Sequence, residues 1–557
     1  MNAMIRRRFL GAACSLLGAM AMAFALVGCA NDHAADTTVV TENAPMLGLA
    51  SAALILDDPA HRAVVLTSPG ADALSIGSLP IGHGLVSANV SPDGKRAFVL
   101  AAGDQPRTSE RDERASLTVI DASAGASSAP TASRYTLASP LSGMSIDPAG
   151  RWLALYAGAS GSAFVENPNA LVLIDLSAPP SATNPIVRNI RSFGGRPERL
   201  TFTGTLQLPG GPRRLLVVET AQDVTLLDLD HLEDATPRPE ITVRLDDGTG
   251  TGSVTPAGVV IDDGDPKRTD DTRIAVRLAD DSNVVTLQLT PAPSGTTAPA
   301  GMVANDFTPE INLTDVGGIA TDLAFVHTDG GLRIGALVPS RKAAVLVEPD
   351  TSVTETVALP AAYSRLVLVT DGVLGASSNG VVGGDVALLW NGGASSGVAF
   401  WSLGTTAGAP YRSLETLPLP GISTVTPVPA PNATLEVLST GDGRLFVLDL
   451  AQKTAAPILT EAGYALRTTI SSDAARLWAF SPGSADLGMV SLPALAPYPI
   501  VVEQPVDAVF DVARADGGRA LLAMHARGSY GVTVLDASHP DASTYRLFSS
   551  LLLEGQP

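Results

Sequence analysis

The chain has 557 residues, room for several average domains or one large repeat structure, and its 45% apolar content is ample for a sizeable core. Acidic residues number 56 against 36 basic ones, a formal net charge of −20 that argues against nucleic acid and against an anionic membrane surface as partners. The two cysteines, Cys14 and Cys29, both lie near the N-terminus, so the body must be held together by packing rather than by disulfides.

Residues 1–28 read as a targeting segment. Arg6, Arg7 and Arg8 form a basic start, Phe9 to Gly28 an uncharged apolar stretch, and Leu26-Val27-Gly28-Cys29 closes it with a small residue before a cysteine. This arrangement resembles a bacterial lipoprotein signal peptide. The resemblance implies lipidation of Cys29 and cleavage before it, and Ala30, in place of an aspartate, implies sorting to the outer membrane. The lipid bilayer would then be one partner, reached through the acylated cysteine, and the mature charge would be −23 once the three arginines are lost. An uncleaved transmembrane anchor is the alternative reading of the same stretch. Arg6-Arg7-Arg8-Phe9-Leu10 also matches the core of the twin-arginine export pattern, which leaves the twin-arginine and general secretory routes both open. Residues 29–49 are polar, without apolar period, and read as a flexible tether.

From residue 50 to 557 the pattern is all-β: short runs of Val, Ile, Leu and Thr between clusters of Gly, Pro, Asp and Ser, with no amphipathic helical period. One strand recurs, apolar until a polar residue that is usually followed by leucine or alanine. Its polar slot holds Asp121, Asp175, Asp228, Asp449 and Asp536, with Ser78, Gln288, Glu348, Ser402 and Ser491 in weaker copies. These ten units are spaced by about 51 residues, the length of a four-stranded propeller blade with its loops. The slot aspartates are expected to be structural, because a carboxylate at a strand end accepts hydrogen bonds from the next turn.

A second element precedes that strand: Ser91-Pro92-Asp93-Gly94-Lys95-Arg96, echoed from Asp147, Ser472 and Asp516. Asp-Gly suits a tight turn and the apolar residues after it a strand. Here the chain resembles bacterial β-propellers of the YVTN and TolB type, although the YVTN tetrapeptide itself is absent. The resemblance implies a β-propeller of about ten units, as one large ring or two smaller ones. It also places the turn between the first two strands of a blade.

Candidate chemistry is sparse. Gly393-Ala394-Ser395-Ser396-Gly397 matches G-x-S-x-G, but strand-like runs flank it where a nucleophile elbow needs a strand and then a helix, so a hairpin loop is expected. Asp262, Asp263, Asp265, Asp270 and Asp271 are hard oxygen donors without EF-hand alternation and with Lys267 and Arg268 among them, which suggests a solvated hairpin tip. The seven histidines show no metal-ligand spacing, and the four tryptophans sit in strand-like runs that suit a core. No catalytic residue, metal or cofactor is therefore expected. The reading that follows is a lipid-anchored binding or scaffolding module in the cell envelope. A protein or small molecule would be its partner on a propeller face, reached by the loops 101–116, 157–169 and 291–306. The resemblance leaves two alternatives: a lactonase-like or quinone-dependent dehydrogenase-like enzyme, and a TolB-like component of an envelope complex.

Overall fold

The structure, a computed structural model, describes residues 44–548 except 159–162, 182, 235, 237, 246–253, 329, 371–372, 375–385, 393–396, 405–412, 461–462, 526–530 and 539–544. The targeting segment, Cys29 and most of the tether lie outside the described residues.

Alternating runs of β-branched and leucine residues, broken by tight turns, fold into two small two-stranded hairpins, Leu206–Leu208 with Gly211–Arg213 and Leu459–Thr460 with Gly463–Tyr464, and ten antiparallel blade sheets. These are blade 1 (46–80), blade 2 (85–136), blade 3 (143–189), blade 4 (199–244), blade 5 (256–315), blade 6 (322–358), blade 7 (365–417), blade 8 (422–457), blade 9 (467–506) and blade 10 (508–548). All have four principal strands, and blade 7 carries an additional short one, Val373–Leu374, beyond its first. Among the described residues the only helices are two single 3-10 turns, Leu229–His231 and Pro339–Arg341.

First strands contact first strands from blade to blade, which places them around the axis. Second and third strands, such as Leu215–Glu219 and Asp223–Asp228, are buried on both faces because each face packs on a neighbouring blade. Fourth strands alternate between exposed and half-buried, as Thr354–Ala358 does, and form the outer wall.

An apolar cluster fills every junction between consecutive blades, and a tenth joins blade 10 to blade 1. The chain therefore forms one ring of ten blades rather than two smaller rings. Blade 1 is built wholly from N-terminal strands and blade 10 wholly from C-terminal ones, so no strand is exchanged at the seam. Ala53, Ile55, Val64 and Leu66 pack there on Val512, Leu522, Met524 and Val532, and the Ala513 amide donates to Ala50 O at 2.8 Å. Each buried side chain of this size contributes about 1.5–3 kcal/mol, so face packing outweighs the few hydrogen bonds of the seam.

Two boundaries differ from the sequence reading. Met46–Gly48, at the end of the stretch read as tether, pairs with residues 53–55 and is the first strand of blade 1. Ser78 lies in a fourth strand, Ala73–Pro80, and Gln288 three residues before the end of the third strand Asn283–Pro291, whereas the other eight slot residues sit at or just past the end of third strands. Blade 1 thus lacks the repeat's polar slot at the position assigned to it, because a longer third strand, Arg62–Gly70, occupies that part of the blade.

The ring's lower face, where first and third strands end, explains the repeat. Each slot aspartate accepts from the backbone N–H two residues on: Asp121 from Ser123 at 2.7 Å, Asp175 from Ser177 at 2.8 Å, Asp228 from Asp230 at 3.1 Å, Asp449 from Ala451 at 2.9 Å and Asp536 from Ser538 at 2.9 Å. The residue after the slot donates back to the start of the second strand, as buried Ala122 does to Lys95 O and half-buried Leu176 to Arg151 O. The S-P-D-G turn lies between first and second strands. Ser91 Oγ donates to Asp93 and accepts from the Arg96 amide, while Gly94 takes φ +68°, a left-handed value that costs glycine little. The copy at Ser471 repeats the hydrogen bonds with Ala474 at φ +53°.

Candidate functional site

The upper face, where first strands begin, is built differently from blade to blade. The opening residue of the first strand is Arg199 in blade 4, Asp322 in blade 6, Arg365 in blade 7 and Arg467 in blade 9. Arg199 is exposed and pairs at 3.2 Å with Glu219, its cross-strand neighbour, which is only 2% exposed. Arg277, from the second strand of blade 5, donates to Ala257 O and to Ala320 O, joining the first strand of its own blade to the segment leading into blade 6. Asp322 accepts from the Leu366 amide at 2.9 Å, tying blade 6 to blade 7.

Arg199, Glu219, Arg277, Asp322 and Arg365 act on one another electrostatically across blades 4 to 7. Burial pushes the Glu219 and Asp322 carboxyls above the usual range against the opposing pull of the arginines, and burial lowers Arg277. Glu219 Oε1 has no hydrogen-bond donor among the described residues. Three guanidinium groups, Arg199, Arg277 and Arg365, stand among three carboxylates, since Glu198 also acts on Glu219. Such a site can orient a charged group, and its raised carboxyls can exchange protons.

Above blades 1 and 2 the His61 and His83 rings stack with centroids 4.5 Å apart. His61 Nδ1 lies 3.5 Å from Glu113, and Glu113 Oε1 accepts from the His83 amide at 3.0 Å and from Arg134. The two histidines are brought together from different blades, beyond the reach of a spacing argument. Among the described residues no group of three or more His, Cys, Asp or Glu side chains is disposed to hold a metal ion.

Several sequence candidates take structural places. Asp262 closes the first strand of blade 5, and burial followed by the Asp263 charge pushes it up to about 6. Asp271 accepts from the Asp265 amide at 2.7 Å, and Asp265 from Lys267, so these carboxylates organise the loop between the first two strands. Ser395 and its neighbours 393–396 lie outside the described residues, although the flanking strands Val386–Trp390 and Val398–Ser402 pair as a hairpin. Trp152, Trp401 and Trp478 are fully buried and Trp390 nearly so. Loop 101–116 and the described ends of loop 157–169 join second to third strands on the upper face, whereas 291–306 joins third to fourth strands on the lower face.

Sequence reasoning missed Arg199, Asp322, Arg365 and Arg467. Their signal was a charged residue immediately before a strand-like run, as in Arg365-Leu366-Val367-Leu368.

A cavity of about 360 Å³ opens in the channel wall in front of blade 9. Blades 8 and 10 form its sides with first strands of six residues each, while that of blade 9, Arg467–Ile470, has four.

No protein-family model matches this chain, and no curated protein sequence matches it. Among solved structures it is similar to the Dos1 propeller, at 12% identity over 74% of this chain and 93% of that one, with a TM-score of 0.38. BBS1N, solved in complex with ARL6DN, is similar at 12% identity over 65% of this chain and 90% of that one, with a TM-score of 0.33. The class of protein the fold defines is a ten-bladed β-propeller.

Proposed function

We propose that this chain is a lipid-anchored envelope protein of the YVTN and TolB type, whose ring is a binding module working through its upper face. The observation that carries the reading is the constellation of Arg199, Arg277 and Arg365 with Glu219 and Asp322, charged groups drawn from four blades to one place at the mouth of the channel. On the same face Phe193, in the loop entering blade 4, is 65% exposed, and the amides of Phe193 and Gly194 and the Ser192 hydroxyl all donate to buried Asp223 and fix that loop. Exposed aromatic and arginine side chains are the usual anchors of a protein interface.

A photo-crosslinking residue replacing Phe193 should capture a discrete partner in intact cells, and one replacing outer-strand Val501 should not. Equal labelling at both positions, or none at Phe193, rejects the upper-face reading. The anchor is tested separately: Cys29→Ala should abolish labelling by a palmitate analogue.

The same constellation favours a second reading, a propeller enzyme of the lactonase or dehydrogenase kind, since Glu219, whose carboxyl burial pushes above the usual range, is an acid–base group held beside the permanently charged Arg199. Turnover of a lactone or alcohol panel that Glu219→Gln abolishes would support it.

A further inference from the structure

The cavity in front of blade 9 stands apart from the charged constellation of blades 4 to 7, and what lines it points to a ligand. Arg467 opens the short first strand and is exposed at the cavity. It has no ion pair and no hydrogen bond from its guanidinium group among the described residues, unlike Arg199 with Glu219 or Arg519 with Asp511. Hydroxyls line the same recess. Thr424 is engaged with Ser439 at 2.6 Å, while those of Thr426 and Thr468 bond to nothing among the described residues. Met46 of blade 1 and Phe510 of blade 10 supply an apolar side.

We infer that this recess binds a small carboxylate carrying an apolar body, with Arg467 holding the carboxylate and Met46 and Phe510 covering the rest. A planar guanidinium matches a carboxylate with two parallel hydrogen bonds. The free threonine hydroxyls add donors on the wall of the recess that faces blade 8. A bare inorganic anion would leave the apolar side uncovered, and a neutral ligand would leave the cation unmatched. The volume lies at the small end of the range for ligand pockets, roughly 300–1,000 Å³. The inference does not depend on the upper-face reading, since none of these residues belongs to blades 4 to 7.

Benzoate is the probe, with benzamide as its neutral counterpart and inorganic phosphate as an anion without an apolar body. Calorimetry and saturation-transfer NMR on the protein lacking residues 1–28 should show benzoate binding with a dissociation constant on the order of 1 mM. Benzamide and phosphate should bind at least tenfold more weakly. Arg467→Gln should lose at least tenfold in benzoate affinity and Arg467→Lys less, with circular dichroism melting unchanged because the side chain is exposed. Arg244→Gln, at the exposed end of the outer strand of blade 4, should bind as the parent does. Benzoate failing to bind the parent, binding Arg467→Gln undiminished, or being matched by benzamide or phosphate would each overturn the assignment.

Discussion

The two faces of the ring are made of the same strands and follow opposite rules. On the lower face one solution recurs: a carboxylate at the end of the third strand accepts the N–H two residues on, in blades 2, 3, 4, 8 and 10 alike. On the upper face no rule holds throughout: blades 4, 7 and 9 open their first strands with arginine and blade 6 with aspartate, and these residues, Arg199, Arg365, Arg467 and Asp322, face one another or a cavity instead of their own turns. A repeat preserves what every blade needs in order to fold. A site needs each residue only once, so it lies where the repeat is broken.

The largest effect that tests this division comes from the ring itself. Removing the residues after 530 takes away Gly531–Asp536 and Arg546–Phe548, and with them one side of the seam around Val532 and Val534. The protein should aggregate or be proteolysed, since both the blade 1 face and an unpaired strand edge become exposed. A soluble, cooperatively melting truncated form would show that the seam does not close the ring.

Next comes Glu436, in the second strand of blade 8, a carboxylate that contrasts with the slot aspartates. It is fully buried and neither oxygen meets a donor among the described residues, so burial pushes its pKa up to about 8. By strand alternation it shares a face with Leu438, which packs toward blade 7. In the folded state the proton stays on until about pH 8, whereas the unfolded chain releases it near the ordinary glutamate value. Its stabilising contribution is therefore full in acid and is lost as pH rises toward 8, by roughly 5 kcal/mol at ~1.4 kcal/mol per tenfold change in proton activity. Glu436→Leu should flatten the decline in denaturation midpoint between pH 5 and 8 and raise stability at pH 8. An unchanged pH profile would show that the carboxylate is matched by another group.

The lower-face aspartates should give smaller, graded losses. Asp175→Ala should cost about 0.5–2 kcal/mol, the range for one capping-type hydrogen bond. Asp175 is nearly buried and also bonds the Ser177 hydroxyl at 2.6 Å. Asp121→Ala should fall at the low end, because its carboxylate is less buried and serves the Ser123 amide. Denaturant midpoints unchanged in both variants would remove the structural role proposed for the slot.

Smallest of all is the expected change in stability on the upper face. Arg365 is exposed, and exposed charges contribute about 0–1 kcal/mol, so Arg365→Gln should melt within about 0.5 kcal/mol of the parent while weakening capture at Phe193. A large loss of stability with capture intact would make the constellation a staple between blades rather than a site.

The sequence alone determined the all-β class, the blade length and the place of the S-P-D-G turn, because these follow from local rules: alternation, turn chemistry and a period repeated down the chain. The same rules mark the slot at Asp121, Asp175, Asp228, Asp449 and Asp536. They could not say that ten units close into one ring, since closure depends on the apolar faces of the first and last blades meeting across nearly the whole chain length. Nor could they find the charged mouth. Arg199, Arg277, Asp322 and Arg365 come from four blades, His61 and His83 from two, and Arg467 stands unmatched only because the shorter first strand of blade 9 leaves a recess between its neighbours. Proximity of that kind is created by curvature of the ring, a property of the tertiary structure that no spacing along the chain records.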